Sequence, residues 1–133
     1  MRQRSTLAKV VICHCADCQI VSGTAFRTVV QAEPGSFKLL SGTPKTYVEA
    51  GESGNEREQT FCPDCGTPIY SALAGADMKA VGLRVGTIRQ RDQLVPSDQY
   101  WFRSSQAWLQ DLPTMRKREK QPAFDSKGAF GDP

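Results

Sequence analysis

Two short cysteine clusters carry most of the chemistry this sequence offers: Cys13-His14-Cys15-Ala16-Asp17-Cys18 and Phe61-Cys62-Pro63-Asp64-Cys65-Gly66. Between them they hold all five cysteines of the 133-residue chain. An odd number in two tight groups does not make a disulfide framework, and Cys13 and Cys15 are too close in sequence for an unstrained bridge to each other. C-x-C and C-x-x-C spacings instead aim several sulfurs at one point about 2.3 Å from a Zn²⁺ ion. Zinc is therefore the expected cofactor, with Cys13, Cys15, Cys18, Cys62 and Cys65 as its candidate ligands. Free core cysteines or a redox C-x-x-C would account for either cluster alone, not for both. In the second cluster Pro63 fixes one φ of the turn, and Gly66 permits the tight backbone that points amides at sulfurs. His14 is the only histidine. Neighbouring residues in so tight a turn cannot all converge on one ion, so its ring is expected to point away.

The elements that must hold these clusters are short. Apolar or alternating runs separated by turn residues recur without a long helical period, which predicts a mainly β domain. Leu7 to Ile12 reads as a strand leading into the first cluster, and His14 to Ser22 as a turn of helix closed by Gly23. Ala25 to Gln31 is a β-branched run. Pro34-Gly35 marks a turn, Ser36 to Leu40 a strand, Gly42-Thr43-Pro44 a turn, and Lys45 to Glu49 the partner strand of that hairpin. Arg57 to Phe61 enters the second cluster. Pro68 to Leu73 and Lys79 to Val85 read as strands paired across the Ala74–Asp77 turn, and Tyr100-Trp101-Phe102 as a late aromatic strand. Ser104 to Leu109 is predicted as a short helix capped by Ser104 or Ser105, with Trp108 inward and Pro113 as its stop. Core packing is expected for both Trp101 and Trp108. Residues 1–115 then form one zinc-binding β domain, and 116–133, where Phe124 and Phe130 stand isolated among Gly, Asp, Lys and Pro, a basic flexible tail.

Composition narrows the class. At 39% hydrophobic and 23% charged, with 11 Gly and 8 Pro, the chain is globular rather than fibrous or disordered. Its longest apolar run, Val10 to Cys13, is far below the roughly 18–20 residues of a membrane span. No apolar segment with a small-residue cleavage site follows the N-terminal Met-Arg-Gln-Arg, so a cytoplasmic location is expected. The formal charge of +3 is concentrated at the ends. Setting aside Arg2, Arg4, Arg116, Lys117, Arg118, Lys120 and Lys127, with Glu119, Asp125 and Asp132, from totals of 17 and 14 leaves 10 basic groups against 11 acidic. A near-neutral body argues against a nucleic-acid-binding face.

In order, Ile12-Cys13-His14-Cys15-x-x-Cys18-Gln19, Ser22-Gly23, Phe61-Cys62-x-x-Cys65-Gly66-Thr67-Pro68, Gly86-Thr87, Trp108-Leu109 and Leu112-Pro113 resemble the glutathione-dependent formaldehyde-activating enzyme family. The resemblance runs from about Leu7 to Phe124 and is most specific in the cysteine clusters. It implies a zinc-containing β-tent fold, found also in centromere protein V, with two metal sites. One is structural and closed; the other, matching Cys13, Cys15 and Cys18, is a three-thiolate site whose open position receives the glutathione sulfur. The implied activity is carbon–sulfur lyase chemistry, the reversible joining of formaldehyde and glutathione to S-hydroxymethylglutathione. Family members usually begin with a Gly-Gly-Cys-x-Cys-Gly strand, whose two cysteines complete the structural site with the pair matching Cys62 and Cys65. Residues 1–12 contain no cysteine, so the chain reads as truncated or as having lost that strand. Phe102 stands where relatives prefer a smaller residue, which suggests a changed pocket wall.

Charge selects further candidates. Three thiolates on Zn²⁺ leave a net of about −1 and a fourth thiolate about −2, a state that calls for nearby cations. Arg27, Arg84 and Arg103, each on a predicted strand near a motif, are the candidates, and their forks also suit the two carboxylates of glutathione. The sequence thus predicts a zinc enzyme acting on glutathione adducts or related small thiols, without nucleic-acid or membrane partners, and leaves a homodimer open. The alternative is a non-catalytic zinc-stabilised binding or structural domain, in which Cys13 and Cys15 join Cys62 and Cys65 in a closed site and Cys18 is free. Association with DNA or microtubules through the basic tail is the least favoured reading.

Overall fold

The computed structural model describes residues 9–51, 53–75 and 81–128. Leu7, Ala8, Asp77, Lys79, Ala80 and Phe130, with the charged residues Arg2, Arg4 and Asp132, lie outside the described residues. The mainly β architecture expected from the sequence is found: β1 (Val10–Cys13), α1 (Ala16–Ser22), β2 (Arg27–Gln31), β3 (Lys45–Ala50), β4 (Glu56–Phe61), β5 (Pro68–Leu73), β6 (Val81–Arg84) and β7 (Asp98–Tyr100), with short 3-10 helices after β6 and after β7. The strands form one seven-stranded sheet in the order β3-β4-β5-β6-β2-β1-β7. All neighbours are antiparallel except β1 and β7, which run parallel. No helix among the described residues is long and apolar enough to cross a membrane.

Alternation along each strand divides the sheet into two unlike faces. One row, Val10–Val30–Leu83–Tyr70, crosses β1, β2, β6 and β5 in register and is buried. With Ala72, Val81, Val85 and Ile88 it forms the hydrophobic core. The opposite row, Gln31–Gly82–Ser71–Gln59, is polar. A sheet with one apolar and one polar face usually turns the polar one to water, yet Gln59, Ser71, Arg27 and Arg84 are all buried. That anomaly marks the functional face.

Three expectations are corrected. Ser36 to Leu40 is not a strand, and β3 pairs with β4 instead; Phe37 packs against Tyr70 with its ring tilted by 53° at a centroid distance of 4.8 Å and adds to the core, while Leu40 is 73% exposed. The aromatic strand ends at Tyr100, because Trp101 adopts a left-handed backbone (φ 54°). The segment after it forms 3-10 helices at Phe102–Ser104 and Ala107–Thr114, without a serine cap and with Pro113 inside the second. Trp108 is 45% exposed rather than inward.

Candidate metal centre

Each sulfur of the first cluster is placed by a different local rule. Cys13 ends β1, directly opposite Arg27 of β2. Cys15 caps α1, its Sγ accepting the Cys18 backbone N–H at 3.2 Å. Cys18 follows three residues later, on the same side of the helix. Gly23 closes α1 in the left-handed conformation (φ 68°), its N–H reaching the carbonyls of Gln19 and Ile20. Gln19 clamps the assembly. Its amide donates to the carbonyls of His14 (2.8 Å) and Ser104 (3.0 Å), and its oxygen accepts from Gln106 (2.9 Å). A Gln19→Ala variant leaves these partners unsatisfied and is expected to lose about 1–3 kcal/mol of stability, read by urea unfolding.

The three sulfurs lie within 4.8 Å of one another. Tetrahedral bonds of about 2.3 Å set sulfurs a little under 4 Å apart, so only a slight closure fits them around one ion. Cys62 and Cys65 are not part of this group. They sit in the turn after β4, where the Gly66 N–H reaches the Cys62 carbonyl (2.8 Å), the Cys62 N–H reaches the Thr67 carbonyl (2.9 Å) and Gly66 takes φ 75°. The structure therefore does not assemble Cys13, Cys15, Cys62 and Cys65 into one closed site. His14 also stays out of the group. Its ring is 1% exposed, packed between Phe26 and Phe102, with Nε2 bonded to Gln99 Oε1 at 2.8 Å.

The sulfurs stand at one end of a cavity of about 450 Å³ on the polar face of the sheet. Arg27 and Arg84 form its wall, each 7% exposed. Arg27 Nη2 donates to Cys18 Sγ (3.1 Å) and Nη1 to Gln59 Oε1 (3.3 Å); Arg84 Nη2 donates to the same Gln59 oxygen (2.8 Å). Gln59 is fixed in turn by Glu49 Oε1, which accepts from its Nε2 at 2.9 Å. Burial, then the like charge of Arg27, pushes the Arg84 guanidinium down to about 9. Two guanidiniums held side by side out of water call for an anion. The Cys18 thiol is lowered to about 5, first by the Cys13 hydrogen bond and then by the Arg27 charge, against opposing burial. Cys13 moves up as the donor of that bond, and burial raises Cys15. In the metal-free protein, iodoacetamide is expected to alkylate Cys18 with a pH midpoint near 5 instead of the ordinary value near 9, which peptide mapping against pH would detect.

Arg103 differs from the other two arginines. It lies in the Phe102–Ser104 helix rather than a strand, with its guanidinium 5.0 Å from the centre of the Trp101 ring. Trp101, expected in the core, lines the cavity instead. Sequence reasoning passed over Arg57, Gln59, Glu49 and Ser71, which also line it. The available signal was Gly82, a glycine inside a strand, which marks a close approach: a Cβ there would stand 2.9 Å from Val29 Cγ1.

Sheet and site together define a mainly β domain whose three-cysteine centre can hold a metal ion. The chain belongs to the glutathione-dependent formaldehyde-activating enzyme family, whose model matches residues 1–104. That span includes both cysteine clusters and all seven strands. No curated protein matches the sequence.

Proposed function

We propose that this chain is a zinc-dependent enzyme of carbon–sulfur lyase type, which joins formaldehyde to glutathione or a related small thiol and reverses the reaction. The observation that carries the reading is the convergence of Cys13, Cys15 and Cys18 at one end of a cavity, with a buried guanidinium 3.1 Å from the Cys18 sulfur. Cys13, Cys15 and Cys18 are the residues that would hold the ion. A zinc ion bound there supplies charge that lowers the pKa of an incoming thiol and keeps it as thiolate. Arg27 and Arg84 balance the negative charge that a fourth sulfur adds. Among the described residues their buried Nε atoms have no hydrogen-bond partner, so the pair carries positive charge that nothing else on the wall matches in full. Gln59 and Glu49 keep both guanidiniums in place before any ligand enters.

The addition itself needs little more. The sulfur lone pair forms the new C–S bond, the carbonyl π pair moves to oxygen, and the proton given up by the thiol ends on that oxygen, with no oxidation or reduction. NMR exchange spectroscopy with ¹³C-formaldehyde and glutathione tests the proposal. The zinc-loaded chain is expected to accelerate exchange between hydrated formaldehyde and S-hydroxymethylglutathione, and chelation to abolish the acceleration. An exchange rate unchanged by the zinc-loaded chain would overturn it.

A further inference from the structure

The cavity extends well beyond the sulfurs. Its far wall is built from β4 and β5, where Arg57 and Ser71 line it. We infer that Arg57, backed by Ser71, is a distal subsite that receives a carboxylate of the thiol substrate. This deepens the thiol-adduct reading and rests on it.

Four observations meet here. First, Arg57 and Gln59 share the cavity face of β4, and at about 3.3 Å per residue Arg57 lies roughly 7 Å further along the strand. Gln59 is the residue that touches Arg27, which touches Cys18. Second, Arg27 spends both Nη groups on Cys18 and Gln59, Arg84 bonds Gln59 through a short 2.8 Å contact, and Arg103 lies against Trp101. Arg57 is held more loosely: among the described residues its one hydrogen bond is a long 3.4 Å contact from Nη2 to Ser71 Oγ. Third, Glu49 is its cross-strand neighbour, yet Glu49 is turned to other partners, Oε1 accepting from Gln59 and Oε2 from Tyr47. Among the described residues no carboxylate pairs with Arg57. Fourth, Gly82 leaves the floor between Arg84 and Ser71 without a side chain, and a Cβ there would stand 3.5 Å from Ser71 Oγ.

A planar guanidinium on a cavity wall recognises a carboxylate in bidentate fashion. The Ser71 hydroxyl, accepting from Arg57, keeps its own O–H as a further donor. An extended tripeptide spans roughly 10 Å, enough to lie across the bare floor from the sulfurs toward Arg57. The substrate class is therefore a thiol with a carboxylate at its far end, rather than a simple alkyl thiol.

The test uses the full chain loaded with Co²⁺, whose sulfur charge-transfer band reports a new thiol ligand. Glutathione, its diethyl ester and 2-mercaptoethanol are titrated into the wild type and into Arg57→Gln. In the wild type, glutathione is expected to bind at least tenfold more tightly than its diester. Arg57→Gln should remove that preference while leaving the affinity for 2-mercaptoethanol within twofold, which also shows that the metal centre has survived. A wild type that binds acid and ester alike, or a variant that weakens all three thiols equally, overturns the carboxylate subsite and leaves the thiol reading standing. If no thiol perturbs the cobalt spectrum, the thiol reading itself fails, and the subsite with it.

Discussion

A Cys18→Ala variant is expected to lose zinc affinity by more than the roughly 10–100-fold that removal of an outer hydrogen-bond partner costs, and glutathione binding with it. The reason is specific to where Cys18 stands. It is the buried member of the triad, it accepts from Arg27 Nη2, and it is the thiol most biased toward thiolate. Its removal takes away one ligand and also the anion beside a buried guanidinium, a change that typically costs about 3–5 kcal/mol. Chelator competition measures the first effect and thermal unfolding of the metal-free chain the second. Cys18→Ser separates them, since a hydroxyl can still accept from Arg27 while making a poor zinc ligand. Cys65→Ser serves as the control, because Cys65 is exposed and lies outside the triad. Zinc held equally well by Cys18→Ala would sink the assignment of the centre to these three sulfurs.

The part of this site legible in the sequence is the part encoded by local spacing. C-x-C followed by x-x-C, ending a strand and opening a helix, forces three sulfurs together whatever the rest of the chain does, and Gly23 ends that helix through its own backbone freedom. Ser36 to Leu40 shows where local pattern misleads. Phe37 and Leu39 alternate with polar residues as in a half-buried strand, but the segment packs Phe37 on the core and pairs with no strand among the described residues. The arginine–glutamine wall shows a deeper limit. Glu56-Arg57-Glu58-Gln59 reads as a solvated strand, and only the cross-strand register Gln59–Ser71–Gly82–Gln31 reveals that one side of it is buried. Register depends on partners far along the chain, which no window of a few residues contains.

Those same partners make Gln59 the second position with a large expected effect. One oxygen accepts from both Arg27 and Arg84, and the amide nitrogen donates to Glu49, so a single buried side chain satisfies two cations and one anion. Gln59→Leu fits the space but leaves all three charged groups short of a partner, and a loss of about 3–5 kcal/mol is expected. Gln59→Glu distinguishes packing from charge. A carboxylate still accepts from both guanidiniums, now with charge assistance, while its second oxygen faces Glu49 and favours a shared proton there. The fold of Gln59→Glu should therefore stay within about 1 kcal/mol of the wild type, the gain at the arginines offsetting the loss at Glu49. Thiol binding should not survive as well. The shared proton lets the negative charge of Glu49 spread onto the oxygen beside Arg27 and Arg84, where it cancels much of the field that they direct at the sulfurs, and a tenfold weaker thiol affinity corresponds to about 1.4 kcal/mol of lost attraction. Thermal unfolding and thiol titration of the cobalt-loaded variant would be measured together. A variant as stable as the wild type that binds glutathione equally well would show that the guanidinium pair only fills space beside the cysteines.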